Sequence, residues 1–125
     1  MLLFGALVLT TAVAVASQAD LLALSPWHGK VPAAANPDAV AYRLSVRGAP
    51  NAVMHLHASG LAPGWIASFC TARVCSPSRV VLPLSAAGSG TIEFQVIRDD
   101  DAAPHRTHVI VSSDSGGLAT LDVKR

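Results

Sequence analysis

At 125 residues the chain has the length of one domain, and with 51% hydrophobic and 14% charged residues it resembles neither a disordered nor a collagenous polypeptide. Lys and Arg number 9 against 8 Asp and Glu, a net charge of +1, and the longest run of like charge is Asp99, Asp100 and Asp101. No basic patch offsets phosphate repulsion, so nucleic acid is excluded as the expected partner.

The first charged side chain is Asp20, and the stretch before it, MLLFGALVLTTAVAVASQA, is apolar and ends in small residues. Its apolar run is shorter than the roughly 20 residues that a membrane-spanning helix needs and has the length of a signal-peptide core. Ser17 and Ala19 supply the small residues that a signal peptidase accepts. Residues 1–19 are therefore expected to be a signal peptide, or an uncleaved N-terminal anchor that would be the only membrane contact. Either way the domain lies outside the cytoplasm: secreted, periplasmic or at the cell surface.

Residues 20–38, DLLALSPWHGKVPAAANPD, mix prolines, a glycine and an Ala triplet without a clear period and read as a leader or linker. Leu21, Leu22, Leu24 and Trp27 are apolar enough to lie along the domain as an irregular first strand. From residue 39 to 125 the pattern becomes alternation, which lets one strand face bury while the other meets water. Val40, Tyr42, Leu44 and Val46 share one face of the first run, which Gly48 to Asn51 close as a turn. In the second run Ala52, Met54, Leu56 and Ala58 share one face, leaving Val53, His55 and His57 on the other.

A short strand from Trp65 to Phe69 leads into the cysteine-bearing loop. The strand Arg79 to Leu84 follows, and its Pro83 removes a ladder donor, which predicts an edge or a strand end. In Thr91 to Ile97, Ile92, Phe94 and Val96 face inward, and Glu93 and Gln95 outward. The Asp99 to Pro104 segment reads as a solvated hairpin tip, and His105 to Ser112 and Leu118 to Val123 complete about seven strands. This spacing predicts an all-β, immunoglobulin-like antiparallel sandwich, whose usual size is about 100 residues.

The strand Met54 to Ala58, the element Gly60-Leu61-Ala62-Pro63-Gly64-Trp65, and the turn Leu84 to Ser89 before Thr91 to Val96 together resemble bacterial immunoglobulin-like domains of the NEW3 and CARDB kind. The likeness runs from Tyr42 to Val123. It implies an accessory module of a secreted or surface protein, acting as a spacer or binding unit. Two departures stand out: a Cys70 and Cys75 pair is not general in that family, and Pro104-His105 replaces its usual Gly-Tyr.

Cys70 and Cys75 enclose only Thr71-Ala72-Arg73-Val74, and in an oxidising compartment they are expected to form a local disulfide. Redox activity would call for Cys-x-x-Cys spacing, and zinc ligation for two further partners. His55 and His57 leave one strand face about 7 Å apart. With His105 or His108 they form the candidate metal set, suited to copper or zinc. His105 and His108 are an odd number of residues apart and so take opposite faces of their strand.

Asp99 to Asp101 lack the spaced ligands and glycine of a calcium loop. Trp27 and Trp65 are expected to pack against the core or edge rather than to serve as sugar platforms. No Gly-x-Ser-x-Gly elbow occurs, Glu93 is the only glutamate, and so small a sandwich leaves little room for a deep cleft, so no enzyme activity is expected. The leading expectation is a non-catalytic exported module for protein or glycan contact or structural support, without a cofactor. The alternative is a small copper- or zinc-binding protein using the surface histidines.

Overall fold

The computed structural model describes residues 20–27 and 38–125. The expected leader 1–19 and His28 lie outside the described residues. Among those described, no helix is long and apolar enough to cross a membrane. Nine strands form: β1 (Leu21–Pro26), β2 (Ala39–Arg47), β3 (Val53–Ser59), β4 (Trp65–Cys70), β5 (Cys75–Pro77), β6 (Arg79–Pro83), β7 (Ser89–Arg98), β8 (Arg106–Ser113) and β9 (Leu118–Lys124).

They pair into two antiparallel sheets, one of order β1-β2-β7-β4-β5 and one of order β6-β3-β8-β9. These are the strand neighbours of an immunoglobulin-like sandwich. β1, β2, β7 and β4 take the A-B-E-D places, and β6, β3, β8 and β9 the C′-C-F-G places. The connectivity has one variation. After β3 the chain crosses to the first sheet for the β4–β5 hairpin and only then returns as β6.

The alternating runs explain the packing. Leu44, Val46, Leu56, Ala67, Phe69, Phe94, Val96, Val109 and Val111 are almost fully buried between the sheets. At the centre, the rings of Phe69 and Phe94 meet at 5.0 Å with a tilt of 49°, a favoured aromatic geometry. As Pro83 predicts, β6 is an edge strand that pairs with β3 alone.

Two strands exceed the seven counted from alternation, and the first is the one that Leu21, Leu22 and Leu24 are apolar enough to supply. The segment 20–38, which composition reads as a linker, supplies β1 in continuous register with β2, from Leu21 opposite Arg47 to Pro26 opposite Tyr42. Leu22 and Leu24 alternate inward there against the core, and that burial outweighs the lack of a clear period along the segment. Asp20 anchors its start: the carboxyl is buried and accepts from Ser113 Oγ at 2.6 Å, and the same Ser113 oxygen accepts from Gly117 N at 3.0 Å. The other addition, β5, is too short for a period-2 pattern to register.

The Asp99 to Pro104 segment is also not a hairpin tip, because β7 and β8 lie in different sheets. It is an inter-sheet crossover, held by the Arg98 guanidinium donating to the carbonyls of Ala103 and Asp101. Trp65 closes this end of the core, 5% exposed, with its indole N–H donating to Pro104 O at 2.7 Å. That is the packing role expected of it.

Candidate functional site

On β3, Met54, Leu56 and Ala58 turn inward, so His55 and His57 must stand on the outer face of the four-stranded sheet. The register supplies their neighbours. Val81 of β6 lies across from His55; Arg79 of β6 and Ser112 of β8 flank His57 on its two sides. Asp114, just past β8, donates its backbone N–H to His55 O at 3.2 Å, which fixes the loop beside the pair. Together these residues line an open groove of about 470 Å³. Val81 forms its apolar side and is more than half exposed.

The remaining candidate histidines are elsewhere. His108 faces outward on β8, but Ser112 is the residue opposite His57, so His108 lies four positions away, about 13 Å along the strand. Its Nδ1 is 2.8 Å from Asp122 Oδ1 of β9, beside Arg106 and Lys124. His105 precedes β8, where its Nδ1 is 2.9 Å from the Arg125 carbonyl. The structure thus brings His55 and His57 together and leaves His105 and His108 apart from them. Among the described residues, no three His, Cys, Asp or Glu side chains form a metal-holding group.

Cys70 and Cys75 are directly opposite one another on β4 and β5, with Cα atoms 4.0 Å apart, and are joined by a disulfide. The enclosed loop is closed by Thr71, whose backbone N–H and hydroxyl both donate to Val74 O. The bridge is a clip on one hairpin and does not connect the two sheets.

A pair that sequence reasoning passed over lies on the outer face of the other sheet. Glu93 and Gln95 point away from the core, as alternation requires, yet they are only 7% and 2% exposed. Gln95 Nε2 donates to Glu93 Oε2 at 2.6 Å. Cys70 and Arg43 flank Glu93, and Ser68 and Ala41 flank Gln95. The Arg43 guanidinium also sits 5.9 Å from the centre of the Trp27 ring. The one available signal was composition: the only glutamate lies two residues from a glutamine on a strand flanked by others on both sides.

No family model matches the chain, and no curated protein does. The NEW3 and CARDB resemblance accordingly rests on its short motifs alone. Among solved structures, a FixG-related protein from Vibrio parahaemolyticus aligns over 86% of this chain and 98% of its own, with a TM-score of 0.51 at 8% identity. An ASH/PapD-like domain of human CEP192 aligns over 94% of both chains with a TM-score of 0.41 at 10% identity. At such identities likeness speaks to fold alone, and the first of these agrees with the all-β sandwich drawn above.

Proposed function

We propose that this chain is an exported, non-catalytic immunoglobulin-like module that contacts a partner protein through the outer face of β6, β3 and β8. The observation that carries the reading is the open groove over His55 and His57, where Val81 is 54% exposed beside Arg79 and Asp114. An exposed apolar side chain bordered by polar and charged groups fits a protein contact, which mixes the two. A glycan would favour an exposed aromatic platform. Trp65 is buried, and Trp27 stands with Arg43 on the opposite sheet.

Export is supported by the leader pattern of residues 1–19, by the disulfide between Cys70 and Cys75, and by the position of Asp20. Asp20 would be the first residue after processing, and its buried carboxyl is tied into the fold through Ser113. Photo-crosslinking in the producing cell tests the surface. A crosslinker at Val81 should capture a discrete protein that one at Thr91, on the other sheet, does not. Equal capture from both positions, or binding of purified protein to glycans with no protein adduct, refutes the reading. N-terminal sequencing of the exported form should begin at Asp20.

A further inference from the structure

His55 and His57 differ from the other described histidines in one respect. His105 and His108 each have Nδ1 engaged, by the Arg125 carbonyl and the Asp122 carboxylate. Neither the His55 nor the His57 ring has a hydrogen-bond partner among the described residues, and both are exposed on one face of one strand. β3 is paired on both sides, by β6 and by β8, so the backbone under the two rings is fixed. Preorganisation of that kind is what a chelating pair requires.

We propose that His55 and His57 form a two-imidazole site for a borderline transition cation, copper(II) foremost. Residues i and i+2 of a strand are about 7 Å apart at Cα, and rotation about the side-chain bonds can bring one nitrogen of each ring to a common ion. Imidazole suits copper, nickel and zinc, and for a given nitrogen site affinity peaks at copper(II) in the divalent series. The surroundings set the charge. Asp114 lines the same groove and favours a cation, whereas Arg79, across from His57, opposes one. Ser112, on the other side of His57, is small enough to leave the ring free to turn.

Two protein ligands leave the rest of the coordination sphere to water or to a donor from outside. The site is therefore open, unlike a closed structural zinc centre with four protein ligands. The inference does not depend on the partner-protein reading, because the metal alone is its probe.

Calorimetric titration of the purified, metal-stripped protein with copper(II) tests it, read together with electron paramagnetic resonance of the loaded protein. One equivalent should bind with nitrogen hyperfine coupling, and copper should bind more tightly than zinc. His55→Ala and His57→Ala should each weaken binding by at least about tenfold, since each removes one of two ligands. A His105→Ala/His108→Ala variant should bind as the parent does. Arg79→Ala should tighten binding by removing a facing positive charge. Absence of binding by the parent protein overturns the proposal. So does unchanged binding by a His55→Ala/His57→Ala variant whose circular dichroism and melting temperature match the parent.

Discussion

On β7, Glu93 and Gln95 point away from the core and are buried; on β3, His55 and His57 point away from the core and are exposed. The same period-2 alternation generates both pairs, so the difference comes from what stands beside them. β7 is the third of five strands. One neighbour carries Arg43, with Trp27 beside it, and the other carries Ser68 and the bridged Cys70. β3 is the second of four, with only the short edge strand β6 outside it. Alternation tells which way a side chain points, and the neighbouring strands decide whether water reaches it. One outer face is therefore built as a second, polar layer of the structure, and the other is left open to water.

The largest test of that contrast is at Gln95. Gln95→Leu removes the donor that satisfies the buried Glu93 carboxyl, and should lower stability by about 2–3 kcal/mol in denaturant melts. Replacing both partners by leucine should recover much of the loss, because no buried polar group is then left unpaired. If the double variant loses as much as the sum of the single variants, the two side chains are not coupled and the polar layer is not a unit.

The disulfide comes next. It belongs to the same face and closes a loop with a sequence separation of 5. Chain-entropy arguments give so small a loop about 2 kcal/mol, so Cys70→Ala/Cys75→Ala should fold and melt lower by roughly that amount. A failure to fold would give the clip a larger role than its hairpin placement implies. Intact mass after alkylation without reductant should show no added label on the parent protein.

These contrasts mark how far the sequence could be read. Both faces of β2, β3 and β7 were legible, since a run such as Val40, Tyr42, Leu44, Val46 leaves one pleated reading, and Pro83 marked an edge. β1 was obscured because its inward residues, Leu22 and Leu24, are followed by Pro26 and a proline- and alanine-rich stretch. The crossover at Asp99 to Pro104 reads as a hairpin tip in the sequence because turn residues carry no information about which sheet receives the next strand. For the candidate site, the pairing of His55 with His57 follows from spacing alone. The separation of His108 from them depends on the β3–β8 register, which places Ser112 opposite His57 and which no local pattern specifies.

Between the two outer faces, the inner one carries an optical reporter. The protein has one tyrosine, Tyr42, opposite Phe94 on β2, and desolvation by burial raises its phenol above the ordinary value of 10.0. Absorbance titration of the folded protein should give a midpoint above that value, returning to it in denaturant. The folded state then holds the proton more tightly than the unfolded state. Tyr42 thus contributes its full share of stability below pH 10.0, and that share is lost as pH rises through the raised folded value. A Tyr42→Phe variant should lose this part of the alkaline decline.

The smallest expected effect falls on the open face. His55 and His57 are exposed, with no hydrogen bond of their rings to lose, so His55→Ala/His57→Ala should change metal-free stability by no more than about 0.5 kcal/mol. Set beside Gln95→Leu, that gives a several-fold difference between two outward-facing polar sites on strands with neighbours on both sides. A stability loss at the histidines matching that at Gln95 would mean that both outer faces are structural, and the contact surface would have to be sought elsewhere. A neutral outcome would mean that the fold does not require these imidazoles. Any loss of copper binding or partner capture in the variant would then report on ligation and contact, since folding would be unchanged.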